Sequence, residues 1–443
     1  MNRRVFLVSL GSTGMLVACG GGGGTNPVPG GGATPTPHGT STPTVSPTAS
    51  PTPTASPTPS PTPPANSIAL NITNASSVSS KNIQIYVFGQ DSAKNWYYLN
   101  PDWTTSPWSQ TSNIPAIPFY AGGSGSGSSS QTIYLPQLSS ARLYIAEGSL
   151  AIPSSGGPAP WTNDASVTVP FDWMEYTWDA TSNGITLNST AVDQLGLPLA
   201  INLVGAQNQT IGFKSGAFTQ IYNQMQALGA PWNLVNAQWT QGSRILNPKH
   251  IFAVGNPFGG SPSEFDQAIK TAWDLYQNNT FTLGSAYTAG AGTLYGRVDA
   301  ASQNFNFYSD AGLTNLVATI SSPPFLTDAT YQVFACAGVF APAGTLPAQL
   351  GNALSACLNR GIIDTTSGGA VTVTELICTS GAFYPGRPYQ NEFARVVHQV
   401  ANDSTYGYNG LAYAFPYDDA CNLYSSAISD AAPTQINVTI NTP

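Results

Sequence analysis

In the stretch FDWMEYTWDATSNGITLNSTAVDQLGLP (residues 171–198), four carboxylates crowd together: Asp172, Glu175, Asp179 and Asp193. Only 8% of the chain is charged, and this stretch holds no Lys or Arg. Alternation predicts a strand with Trp173, Glu175, Thr177 and Asp179 on one face and Met174, Tyr176 and Trp178 on the other. The apolar set suits a core. The opposite face is then wet and carries two acids, a Thr and a Trp. Ser182-Asn183-Gly184 predicts a tight hairpin, because Asn-Gly tolerates the positive φ of a type I′ turn. With Asn183-Gly184 as a two-residue loop, Thr190 falls opposite Thr177 and Val192 opposite Glu175. Asp193 reaches the Glu175 face only if the return strand bends or bulges. Two carboxyls on one cleft, one neutral and one ionised, suit glycosidic bond cleavage: one protonates the leaving oxygen, the other activates water. Solvated acids on an exposed hairpin show the same spacing, so the pattern alone leaves both readings open.

Other chemistries find less support. The chain has three His (His38, His250 and His398) and neither C-x-x-C nor H-E-x-x-H, so we expect no metal and no cofactor. No G-x-S-x-G elbow marks a serine hydrolase. The glycines of 122–130 do not lie between a strand and a helix, so they predict a loop and no phosphate cradle. Trp161 and Trp173 are candidate sugar-stacking platforms, although Trp more often packs inside. His398, on a predicted helix, reads as a satisfied, partly buried His. Asp418 and Asp419 either add to an acidic cleft or cap a turn.

The elements that must position these residues change character along the chain. Up to about Val204, short alternating runs such as SIALNIT, NIQIYVFGQ and RLYIAEG predict strands of a sandwich or barrel. Beyond it, GAFTQIYNQMQAL, SPSEFDQAIKTAWDLYQN, LPAQLGNALSACLNRG and YQNEFARVVHQVAND predict helices. Ser261 and Glu264 suggest a capping box for the second. Strands return between Phe281 and Ile320. The tail TQINVTI mirrors SIALNIT and is expected to pair back onto the first sheet. The β body then spans about 66–204 plus about 405–443, with a mixed α/β lobe of about 205–404 inserted and a wide cleft between them.

The N-terminal region predicts a tether. Residues 1–18 combine Arg3 and Arg4 with a short apolar run, an export signal too short to span a bilayer. RRVFL also resembles a twin-arginine signal. LVAC resembles a bacterial lipobox, making Cys19 the lipidated first residue of the mature chain. Gly20 after it points to the outer membrane or cell surface. The Pro/Thr/Ser-rich remainder of 19–65 suits an extended spacer, on the order of 100 Å long. The net charge of −8 becomes −10 once Arg3 and Arg4 are removed, which argues against nucleic acid. Outside the cytoplasm, Cys336, Cys357, Cys378 and Cys421 are candidates for two disulfides. We favour Cys357–Cys378 and Cys336–Cys421.

DWMEYTWD followed by LNSTAVDQLGLPLAINL resembles the core of glycoside hydrolase family 64, bacterial β-1,3-glucanases with a thaumatin-like fold. YQVFACAGVFA, YQNEFARVVHQ and LAYAFPYDDACN follow the same family in order, so the likeness spans 66–443. The resemblance implies a mainly β, thaumatin-like body with an α/β lobe, and inverting hydrolysis of β-1,3-glucan to short laminari-oligosaccharides; separately, we expect a monomer. It implies Glu175 as general acid and Asp193 as general base, with Thr177, Asp179 and Thr190 touching the sugar. The acid's pKa is then expected to be raised by burial or nearby carboxylates. Thr186 stands where the family has a Trp, which puts sugar affinity in question. A non-catalytic, thaumatin-like glucan-binding lipoprotein is the alternative.

For the tether, a Cys19→Ser chain is expected in the soluble fraction of an envelope preparation, with wild type in the membrane fraction. Equal partitioning of the two would contradict lipidation.

Overall fold

The computed structural model describes residues 63–119, 129–158, 168–178, 184–237, 244–284, 288, 290–363, 383–385, 390–407, 412–418 and 426–443. Strands β1 (Ser67–Asn74), β2 (Ile83–Gln90), β3 (Trp96–Leu99), β4 (Thr105–Pro107), β5 (Ile117–Pro118), β6 (Ser129–Pro136), β7 (Ser139–Glu147), β8 (Phe171–Trp178) and β9 (Ile185–Ser189) come first. β10 (Gln194–Leu195), β11 (Leu199–Val204) and β12 (Gln209–Gly212) complete the N-terminal β region. Strands β18 (Ala427–Asp430) and β19 (Gln435–Ile440) return at the far end of the chain.

Two sheets form from these strands. One runs β12-β11-β19-β1-β6 and the other β18-β9-β8-β7-β2-β3-β4, with β5 on β2. The tail pairs back as expected: β19 lies parallel to β1, with Ile72 beside Val438. Alternation explains the packing. Ile68, Leu70 and Ile72 of β1 meet Leu143, Ile145, Met174, Tyr176 and Leu187 of the other sheet in one buried core. The result is an open sandwich and not a closed barrel. A smaller apolar cluster covers part of the outer face of the larger sheet, where Tyr86, Phe88, Tyr144, Phe171 and Trp173 lie with Trp108, Leu150 and Ile152.

Between the two β segments the period changes to that of helices. α1 (Ala217–Leu228), α2 (Pro248–Ile251), α3 (Asp266–Asp274), α4 (Ala329–Ala335), α5 (Thr345–Asn359) and α6 (Glu392–Asn402) come with a four-stranded meander between α3 and α4 in the chain. That meander is β14 (Phe281–Leu283), β15 (Leu294–Val298), β16 (Phe305–Tyr308) and β17 (Leu316–Ile320), and β13 (Ile245–Leu246) pairs separately with β10. Their core is aromatic, with Trp273, Phe305 and Phe334 wholly buried. The Ser261–Glu264 capping box does not form. Ser261 turns onto Ser263, and α3 starts at Asp266. The Asp266 carboxylate instead accepts from the backbone of Thr327, Ala329 and Thr330 at the start of α4. Asn391 caps α6 by accepting from Ala394.

Cys336 and Cys357, expected in disulfides, are both buried free thiols in this second core. The Cys336 Sγ lies 3.3 Å from Asn352 Oδ1, and burial pushes both thiols up to about 12. Cys378 and Cys421 lie outside the described residues, as does Cys19. All the described residues fall in one compact unit, 60–443, and none of their helices is long and apolar enough to cross a membrane.

Gly196, just after β10, presses on the start of β8. A Cβ there would sit 2.2 Å from the Phe171 carbonyl oxygen and 2.8 Å from its nitrogen. Both are backbone atoms and cannot swing away. Gly196→Ala is expected to cost about 1–3 kcal/mol of stability, read as a lower denaturation midpoint. An unchanged midpoint would show that this junction is looser than described.

Candidate active site

Strand β8 carries Glu175 as alternation requires. Met174, Tyr176 and Trp178 enter the sandwich core, and Glu175 and Thr177 take the other face. The pairing differs from the two-residue hairpin expected. Glu175 lies opposite Asn188 and Thr177 opposite Thr186, with Trp178 opposite Ile185 as the last pair among the described residues. The partner of Thr177 is thus Thr186 and not Thr190, four residues from the register that an Asn183-Gly184 turn would set, and the turn itself lies outside the described residues. Asp179 lies outside the described residues, as does Trp161 in an earlier segment.

Asp193 arrives by a bend. β9 ends at Ser189, and the chain leaves the sheet through a parallel bridge between Thr190 and Tyr413. Thr190 is only 5% exposed, and its hydroxyl accepts from the Val192 N–H. It shapes the turn that delivers Asp193. Ala191 and Leu195, on either side of Asp193, belong to the second core, while Met174 and Tyr176 flank Glu175 in the sandwich core. Each carboxylate is thus anchored by a different core. Asn247 locks the bend. Its Nδ2 donates to the Ala191 and Ala414 carbonyls, and its backbone N–H to the Asp193 carbonyl.

Both carboxylates have cationic partners that come from distant sequence. Arg142 of β7 pairs with Glu175 in register, Nε 3.2 Å from Oε1. Its Nη1 reaches the Tyr144 hydroxyl and the Ser155 and Gly156 carbonyls. Burial opposes the Arg142 charge, but Tyr144, Glu175 and Asp193 together outweigh it and hold the guanidinium protonated. Burial pushes the Tyr144 hydroxyl up to about 12. Asp193 Oδ1 receives Lys249 Nζ at 2.6 Å and His250 Nε2 at 3.0 Å. Burial works against its ionisation, yet the Lys249 charge and the His250 hydrogen bond win and hold it well below the usual carboxylate range. The side chains of Glu175 and Asp193 keep 33% and 27% of their surface exposed, so solvent or a ligand reaches both.

The remaining candidates divide. The Thr177 hydroxyl accepts from the Ser140 N–H, on the same face as Glu175. Trp173 is 4% exposed and stacks on Tyr144 with ring centres 5.4 Å apart, so it offers no open ring to a sugar. Asp172 is buried, with its oxygens held by the N–H groups of Trp173 and Gly196, and burial raises its pKa. It pins the β8–β10 junction. His398 and Asp418 are buried and bonded to each other at 2.7 Å. His398 also meets the Tyr384 hydroxyl, and Asp418 the buried Arg360. Among the described residues no group of His, Cys, Asp and Glu forms a metal site.

Arg142, Lys249 and His250 escaped sequence reasoning. Arg142 is detectable only as an outward residue of RLYIAEG. Asn247 and Pro248 announce a short helix, but nothing in the sequence ties that helix to Asp193.

Comparison with known proteins agrees with this architecture. A laminaripentaose-producing β-1,3-glucanase, solved with laminaritetraose, superposes with a TM-score of 0.66 at 23% identity, over 85% of this chain and 99% of its own. A β-1,3-glucanase domain from Clostridium beijerinckii gives 0.64 at 21%, over 86% and 100%. The laminaripentaose-producing enzyme from Paenibacillus barengoltzii, complexed with laminarihexaose, gives 0.54 at 17%, over 86% and 76%. None of the curated protein sequences matches this one. The β-1,3-glucanase family model, glycoside hydrolase family 64, matches residues 66–440. With that match over most of its length, the chain belongs to glycoside hydrolase family 64.

Proposed function

We propose that the protein hydrolyses β-1,3-glucan with inversion, using Glu175 as general acid and Asp193 as general base. One observation carries this: two partly exposed carboxylates, anchored in separate cores, are each held by a cation through one oxygen, Glu175 by Arg142 and Asp193 by Lys249. The solved relatives bound to laminaritetraose and laminarihexaose support β-1,3-glucan as the substrate class.

Arg142 occupies Oε1 of Glu175, leaving Oε2 to carry the proton. That proton passes to the glycosidic oxygen as the bond to the anomeric carbon breaks, and the guanidinium stabilises the carboxylate left behind. On the opposite face of the sugar, Asp193 takes a proton from water while the water oxygen bonds to the anomeric carbon. One water is consumed, and the configuration at that carbon inverts. Thr177, on the face of β8 that carries Glu175, bonds a sugar hydroxyl, and Asp179 adds a further polar contact. Thr190, enclosed in its turn, acts through the backbone it shapes.

The setting follows the N-terminal sequence. Residues 1–18 act as an export signal, Cys19 as a lipid anchor and the rest of 19–65 as a spacer. The enzyme then works as a monomer at the outer membrane or cell surface, and gel filtration at a dimer's volume would contradict the monomer.

With laminarin as substrate, Glu175→Gln is expected to retain binding and lose about 10²–10⁴-fold in turnover, because an amide has no proton to give. Asp193→Asn should behave alike, while Asp172→Asn keeps much of the activity. Proton NMR of the first products should show α-anomers. β-Anomers would overturn inversion, and full activity in Glu175→Gln would overturn the acid. A wild type that binds laminarin and never cleaves it would make this a glucan-binding protein.

A further inference from the structure

Two side chains converge on a single oxygen of Asp193. Lys249 Nζ lies 2.6 Å and His250 Nε2 3.0 Å from Oδ1. No described residue bonds Oδ2. Both donors sit on the four-residue α2, whose start is fixed because Asn247 Oδ1 accepts from the Lys249 N–H. The same Asn247 holds the Asp193 carbonyl through its own N–H. Donors and acceptor are therefore referenced to one buried residue. We propose that Lys249 and His250 are positioning residues of the general base, fixing Oδ1 so that Oδ2 alone faces the attacking water. This rests on Asp193 being the base.

The two donors divide the work by charge. An ionised carboxylate only accepts, so His250 Nε2 carries the proton in their bond. Burial, the largest effect, lowers the His250 pKa despite the opposing pull of Asp193, so the ring is a neutral donor near neutral pH. Lys249 supplies the charge. With Oδ1 engaged twice, the carboxylate cannot rotate to swap its oxygens without breaking two bonds. When Oδ2 takes the water proton, the water oxygen forms its bond to the anomeric carbon, and Lys249 faces the now neutral acid. That loss of attraction favours return of the proton to solvent and resets the base.

The consequence appears on the acid side of the pH profile. A general base works only when ionised, so activity falls as pH drops through its pKa. The groups acting on Asp193 are Lys249 and His250 from α2, with Arg142 and Tyr144 from β7, while Arg244 acts on His250. Lys249 is the largest favourable influence. Removing its charge raises the Asp193 pKa and moves the acid limb to higher pH.

The test uses the full chain with laminarin and follows kcat/KM against pH, alongside carbon NMR titration of Asp193 in protein labelled at the Asp carboxyls. Lys249→Met is expected to raise both the acid limb and the Asp193 pKa by about 1–3 units, with KM changed less than about twofold. Lys249→Arg should keep the limb near wild type, because the charge is retained. His250→Gln, which keeps an N–H donor, should move the limb less than Lys249→Met. If Lys249→Met does not fold, Lys249→Gln takes its place. An acid limb in the same position for Lys249→Met and wild type would overturn the proposal, as would Asp193 titrating at an ordinary carboxylate value in wild type. A wild type that cleaves no laminarin while Asp193 titrates low would instead overturn the catalytic reading itself, reducing the pair to a structural clamp.

Discussion

The wholly buried side chain of Asn247 is the constraint on which the site depends. Its amide holds two carbonyls, Ala191 before Asp193 and Ala414 in the C-terminal part of the chain, and its Oδ1 caps the helix bearing Lys249 and His250. An unpaired amide at such a position costs about 1–3 kcal/mol, so losing either carbonyl partner would destabilise the bend. Three segments far apart in sequence are thereby brought to fixed positions around one carboxylate.

The two cores give the site its second dimension. Glu175 belongs to a strand whose inward neighbours fill the sandwich, and Asp193 to a bend whose neighbours fill the α/β core. A pair of carboxylates on adjacent residues of one hairpin would sit at a spacing set by strand geometry alone. Anchoring them separately lets the gap be set by how the cores join, with Gly196 and Asp172 holding that junction close.

Much of this was legible in the sequence, and the parts that were not share a cause. Alternation in WMEYTW gave the correct faces of β8, and the likeness of SIALNIT to TQINVTI foretold the β1–β19 pairing. Both are short-range patterns repeated along one strand. The hairpin register was misjudged because Asn183-Gly184 was read as the turn, whereas Thr177 pairs with Thr186 and not with Thr190. Trp173 looked available because alternation places it on the outer face. A second layer of aromatics buries it there, and no local pattern announces that layer. The basic partners were invisible for the same reason. The acids seemed uncompensated in their own stretch, and Arg142, Lys249 and His250 reach them only through tertiary packing.

The central claim is that Glu175 and Asp193 face opposite sides of one sugar. A crystal structure of the Glu175→Gln protein with a laminari-oligosaccharide tests it most directly. The account predicts the glycosidic oxygen within hydrogen-bonding reach of the side chain at 175, and a water between Asp193 Oδ2 and the anomeric carbon on the other face. A sugar bound away from both residues, or Asp193 Oδ2 turned from the anomeric carbon with no water between them, would contradict it.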